Sequence, residues 1–257
     1  MDVGSLGRTV ASLDARMMQY VNGPAVYKSL AMTGIAEALR TGGPVPVGAT
    51  GKTWDSLLDA DSSLTEDLSD QESGRAMWIA PALAPMVSPT DGETYVVLGS
   101  GAGVFADELL RRHPGLRVQI VGAAAGRQVR DVGEDRQARA SVSPWIQGEQ
   151  LPAGTASVIL DPFAIASDGD VAGVLAAATS DQVIVVTKIL AETGDEDHEY
   201  AEDLGRLCLD GTAVPTRRDL VTAAGLAGYV VDSVQPSGWG AVAAFLVHSH
   251  SAEDNAR

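Results

Sequence analysis

Tyr95-Val96-Val97-Leu98-Gly99-Ser100-Gly101-Ala102-Gly103 decides the fold of this chain. The run from Tyr95 to Leu98 is apolar and contains two β-branched residues, which reads as a buried strand. The glycines then stop it, and residues 104–112 carry apolar groups at helical spacing. A strand feeding a helix through glycines at alternate positions lets the backbone lie against a nucleotide-like ligand at the helix N-terminus. A nucleoside pocket is therefore the first expectation. A dinucleotide fingerprint needs a further glycine where Val104 stands, so a nicotinamide dinucleotide is disfavoured.

Working outward, strands and helices alternate. His113-Pro114-Gly115 turns the chain into a strand over 116–121, and another strand, 156–160, ends at Asp161. A helix over 170–178 precedes a strand over 182–187. A helix follows near 199–209, and the next begins at the capping residue Thr216. Strands over 229–234 and 241–247 close the pattern, joined by a Gly-containing link over 235–240 that suits an antiparallel hairpin. Alternation of this kind predicts an α/β class fold, a doubly wound, mostly parallel sheet with helices on both faces. Ligands of such sheets bind beyond the C-terminal strand ends, at the switch point. Upstream, the spacing predicts helices over 9–22, 25–40 and 71–87, with a loop-like stretch over 41–72. The expected division is a helical region over 1–88, a Rossmann-like domain over 89–250 and a disordered tail over 251–257.

Composition narrows the partners. The chain has 257 residues, with Lys+Arg 18 against Asp+Glu 34 and a formal net charge of −16. Nucleic acids and anionic membranes both require clustered cations, so neither is expected as a partner. No stretch is long and apolar enough to span a bilayer. The only cysteine, Cys208, cannot form an internal disulfide, which suits a reducing cytoplasm. It falls in an apolar helix without a histidine partner, as a core residue does. The start of the chain lacks a signal-peptide pattern, and the few histidines, His198 among acids included, suggest no metal site.

Several segments carry a family likeness: Leu30-Ala-Met-Thr-Gly-Ile-Ala-Glu-Ala-Leu39, Gly99-Ser-Gly-Ala-Gly103, Leu109-Leu-Arg-Arg-His-Pro-Gly-Leu-Arg117, Asp203-Leu-Gly-Arg-Leu207, Gly211 to Thr216, and Ala223-Ala-Gly225. Together they resemble the class I S-adenosylmethionine-dependent O-methyltransferases of natural-product pathways. The resemblance implies a Rossmann-like methyltransferase fold with an antiparallel last strand and a short helical N-terminal extension that forms a homodimer. It implies an adenosyl cofactor beside Gly99, Ser100, Gly101 and Gly103, with Gly122 and Trp145 toward the sugar and the base, and a small-molecule substrate.

The chain also departs from that pattern. Val97 stands where the family has an acid before the first motif glycine. Gly122, followed by Ala123, Ala124 and Ala125, stands where an Asp or Glu grips the ribose hydroxyls. Pro144-Trp145-Ile146-Gln147 lacks the acid of the adenine side, residues 161 to 168 lack the catalytic histidine, and Val214 replaces a supporting Glu. The winged-helix segment is reduced to 41–72. Losing both charge-assisted bonds of the ribose acid costs about 3 kcal/mol, a hundredfold or more in affinity. Losing the base costs roughly 10²–10⁴ in rate. These gaps lead to the expectation of a tailoring enzyme that does not methylate, and that folds an apolar polyketide-type substrate for cyclisation or isomerisation. On that reading no cofactor is required, or S-adenosylmethionine or S-adenosylhomocysteine binds weakly or vestigially. The alternatives are an O-methyltransferase with an atypical pocket and a non-catalytic partner subunit.

The candidate chemistry is sparse. Asp161, at a strand end beside Phe163, is the expected proton shuttle. Met77 and Trp78 on the roofing helix, together with Phe163 and Trp239, are expected to line an apolar substrate cavity. Lys188, after the fifth strand, could face the pocket but reads first as a surface lysine. Gly51-Lys52-Thr53 mimics a phosphate loop, but Pro46 occupies the position of its first glycine.

Overall fold

The computed structural model describes residues 23–166, 169–190, 197–238 and 241–248. The expected helix over 9–22 and the tail over 251–257 lie outside them. The chain divides into two compact units: Met1–Gln71 with Thr193–Val214, and Glu72–Glu192 with Pro215–Arg257.

In the first unit, α1 (Pro24–Ala31), a 3-10 turn (Met32–Gly34) and α2 (Ile35–Thr41) occupy the region expected as one helix over 25–40. Proline at the first helical position of α1 gives up no intrahelical hydrogen bond. The stretch expected as a loop over 41–72 is largely helical: α3 spans Trp54–Ala60, and α4 starts at Ser62 and runs to Leu83. Its residues from Glu72 onward belong to the second unit. The helices arise from caps rather than apolar periodicity. Thr53 accepts from the Ser56 backbone N–H, and Asp61 accepts from the backbone N–H groups of Ser63 and Leu64. Trp54 and Leu64 are buried in the cluster with Ala31, Ala38, Val45 and Val47, and Leu57, Leu58 and Leu68 pack against it. Cys208, on α9 (Asp197–Asp210), is buried in the same cluster, and burial pushes its thiol up.

The second unit is built on a seven-stranded sheet. Its strands are β1 (Thr94–Gly99), β2 (Arg117–Val121), β3 (Ala140–Ser143), β4 (Ala156–Leu160), β5 (Gln182–Lys188), β6 (Tyr229–Gly238) and β7 (Ala241–His248), in the order β3-β2-β1-β4-β5-β7-β6. β3 was not expected. It is four residues long and only part-covered, so it lacks both an apolar run and clean alternation. The first five strands pair in parallel. β7 runs antiparallel between β5 and β6, so the closing hairpin enters the sheet with β6 as its edge. β6 extends through Gly238, well beyond the expected end at 234.

Alternate residues of each strand feed opposite cores. Tyr95, Val97, Ile120 and Val158 meet Phe105, Leu109 and Leu110 of α5 (Ala102–Arg112) and Leu83 of α4. Val96, Leu98, Ile159 and Val185 meet Val174 and Leu175 of α8 (Val171–Ala176) and Leu220 of α10 (Arg217–Leu226). The remaining short helices, α6 (Ala125–Gln128) and α7 (Pro162–Ile165), sit just after β2 and β4. Strand order reverses between β1 and β4, so the switch point lies at the end of β1, where the glycine turn begins.

Candidate functional site

The glycine turn is held in a geometry that side chains resist. Gly99 ends β1 at φ 117°, and a Cβ there would run into the Leu160 carbonyl oxygen of neighbouring β4. Gly101 caps α5 in the left-handed conformation, and its carbonyl accepts from Phe105 N–H at 3.1 Å. The turn therefore brings bare backbone to the C-terminal edge of the sheet.

Beside it is a cavity of about 280 Å³. Leu98, Gly99 and Ser100 form one wall, and Val121, Gly122, Ala123 and Ala124 form a second. Gln128, Trp145, Gln147 and Ile165 complete it. The lining comes from the ends of four adjacent parallel strands, as ligand sites of doubly wound sheets do.

The Trp145 indole N–H donates to the Glu149 carbonyl at 2.9 Å, so its polar edge is engaged within its own loop. What Trp145 offers a ligand is a buried aromatic surface suited to a planar base. None of the lining residues is ionisable. The polar side chains of the lining are Ser100, Gln128 and Gln147, all neutral. The cradle fits a nucleoside through shape, backbone and an aromatic wall, with no carboxylate among the lining residues for its sugar.

The expected site residues are distributed as follows. Gly99, Ser100, Gly122 and Trp145 line the cavity. Gly101 and Gly103 shape the turn behind it, with Gly103 packed against the Gln128 backbone carbonyl. Asp161 and Phe163 are not among the lining residues, and Met77 and Trp78 are exposed on α4, at 64% and 68%. Trp239 lies outside the described residues. Gln128, Gln147 and Ile165 carry no composition or spacing signal in the sequence. Their place in the lining follows from where the turns after β2, β3 and β4 end.

Asp161 is the one non-glycine residue with positive φ among the described residues, at φ 50°. Aspartate tolerates this conformation better than most residues, and such strain concentrates at functional sites. Its backbone N–H donates to Val186 O at 2.6 Å, and its Oδ1 accepts from the Thr187 hydroxyl at 3.1 Å. Thr187 is buried, and so is Lys188, which corrects the expectation of a surface lysine. β5 carries both residues to its C-terminal end, where they pair with Val242 and Ala241 of the neighbouring β7. Among the described residues, no group of three or more His, Cys, Asp or Glu could hold a metal ion, and no helix is long and apolar enough to cross a membrane.

The strand order, the antiparallel β7 and the glycine turn define an α/β methyltransferase fold with a cavity at the sheet's switch point. Comparison with known proteins agrees on the fold. The solved structure of TnmH superposes with a TM-score of 0.81 at 23% identity, covering 96% of this chain and 77% of that one. Mitomycin 7-O-methyltransferase MmcR superposes at 0.77 and 20% identity, covering 96% and 76%. NcsB1, an O-methyltransferase from neocarzinostatin biosynthesis solved with S-adenosyl-L-homocysteine and 1,4-dihydroxy-2-naphthoic acid, superposes at 0.76 and 21% identity, covering 95% and 77%. In sequence, the chain is 27% identical over 230 residues to aclacinomycin 10-hydroxylase RdmB of Streptomyces purpurascens. That alignment takes in 85% of this chain and 61% of RdmB, so the chain spans about three fifths of that relative's length. No protein-family model matches the chain.

Proposed function

We propose that this protein binds an S-adenosyl nucleoside in the cavity at the ends of β1 to β4 and tailors a small natural product, as an O-methyltransferase with an atypical pocket. The observation that carries the reading is the neutral cavity framed by Gly99 and Trp145 at the sheet's switch point. The similar methyltransferase structures support it, NcsB1 with its bound S-adenosyl-L-homocysteine in particular. When bound, S-adenosylmethionine supplies an electrophilic methyl group. The chain's own part is placement. The glycine turn lets the ligand approach the backbone, Trp145 walls the base, and water is displaced from an apolar lining. Residues 161 to 168, directly after β4, include no histidine, so the natural acceptor is a compound whose hydroxyl ionises readily by itself, such as a hydroxyaryl acid. Asp161, whose Oδ1 accepts from the Thr187 hydroxyl, is the carboxylate at this strand end. We also propose a homodimer, to be checked by light scattering on the purified protein.

The test has two parts. Mass spectrometry of the denatured protein should find co-purified S-adenosylhomocysteine, and calorimetry should show S-adenosylmethionine binding. Incubation with 1,4-dihydroxy-2-naphthoic acid, the molecule bound to NcsB1, should then yield a methylated product. No bound adenosyl compound and no binding at millimolar concentration would overturn the reading.

A second reading draws on the hydroxylase name of RdmB and on the missing histidine. On it, the adenosyl ligand is retained but its methyl is not transferred, and tight binding without methylated product is the expected result. Neither the site nor the similar proteins lend support to cyclisation or isomerisation, so that expectation is set aside.

A further inference from the structure

Gln128 is the lining polar side chain that is most deeply covered, at 7% exposure. It ends α6, and its backbone N–H donates to Ala124 O at 3.0 Å. Its Nε2 donates to the Gly99 carbonyl, also at 3.0 Å, tying the helix after β2 to the glycine turn after β1. That bond fixes the amide. A carbonyl demands a donor, so nitrogen takes the Gly99 end and Oε1 is left at the other. Among the described residues Oε1 has no hydrogen-bond partner and is not fully sealed, and the residue lines the cavity. A covered amide oxygen beside a cavity is an acceptor waiting for a donor.

Gly122, Ala123 and Ala124 bring no acceptor side chain to the end of β2. Gln128 stands one short helix further on, against the same wall. We propose that Gln128 Oε1 accepts a hydrogen bond from a sugar hydroxyl of the adenosyl ligand, replacing the carboxylate this edge lacks. The assignment rests on the adenosyl reading above. A neutral amide offers one acceptor where a carboxylate offers two, so the sugar is still read, but more weakly.

The test is calorimetry with 5′-deoxy-5′-methylthioadenosine and its 2′-deoxy and 3′-deoxy counterparts, on the wild type and on Gln128→Met. The wild type should prefer the parent over at least one deoxy counterpart by about tenfold, the size of one hydrogen bond. Gln128→Met, similar in volume, should bind all three within about twofold of one another. Comparing ligands on one protein cancels any general loosening of the turn caused by losing the Gly99 contact. The wild-type series is decisive without any variant, because indifference to both hydroxyls overturns the assignment. A preference that survives in Gln128→Met overturns it too, while leaving the adenosyl reading intact. Failure of the wild type to bind the parent at millimolar concentration overturns both.

Discussion

At the scale of single residues, Gly99 at the end of β1 and Asp161 just after β4 both hold positive φ beside the cavity's strand ends. Gly99 pairs in register with Leu160, which is why a methyl group there meets the Leu160 carbonyl. Gly99→Ala should therefore lower stability by about 1–3 kcal/mol and displace the wall of the cavity. A lower urea midpoint, with weaker binding of S-adenosylhomocysteine, is the expected result. Asp219 supports a second prediction. It closes a capping box with Thr216 at the start of α10, and the Thr216 hydroxyl, followed by its backbone N–H, holds the Asp219 carboxyl below the ordinary range. A folded-state value below the unfolded one stabilises the protein above the unfolded value, and the gain is lost as pH falls through the folded one. Asp219→Ala should cost about 1 kcal/mol at neutral pH. Urea midpoints of wild type and variant should converge at acid pH, below the ordinary carboxylate range. The capping threonine and the motif glycines were legible in the sequence because each residue type has a local backbone role. Gln128 was not, because its bond to Gly99 depends on how two strand ends come together.

Among the elements, α5 shows how a helix end is secured without a glycine. The Arg139 guanidinium donates to the carbonyls of Leu110, His113 and Leu116, at 2.8, 2.9 and 3.3 Å. It thus satisfies acceptors that the helix end leaves open and ties the approach to β3 to the start of β2. Arg139→Met should remove the guanidinium from all three carbonyls, of which His113 O keeps the Leu116 N–H, and destabilise by about 1–3 kcal/mol. Hydrogen exchange should show the loss first in the last turn of α5 and in β3. The strands with apolar runs, β1, β4 and β5, could be placed from the sequence because both their faces are covered, and β2 because it follows the His113-Pro114-Gly115 turn. β3 and α3 were hidden for opposite reasons. β3 is short and half-exposed, and α3 is amphipathic over too few residues for a period to show. The position of β7 between β5 and β6 depends on long-range pairing that no local pattern encodes.

For the molecule as a whole, charge is the feature that composition makes legible before any fold is known. A net charge of −16 means that the folded chain repels itself, since compaction brings its carboxylates together. Against this stand attractive pairs such as Glu108 with Arg111 and Arg112, and Asp107 with Arg136. All of these pairs are partly solvent-exposed, and pairs of that kind contribute roughly 0–1 kcal/mol each. Salt weakens both effects, and the Debye length shrinks from about 10 Å at 0.1 M to about 3 Å at 1 M. The contact pairs lie well inside the first of these lengths, whereas repulsion sums over many distant carboxylates and is screened more completely. Raising sodium chloride from low to near-molar concentration should therefore raise the thermal midpoint. Scanning calorimetry across that series checks the sign. A midpoint that falls would mean that the Glu108 and Asp107 pairs outweigh the excess charge, and that the acidic surface does not strain this fold.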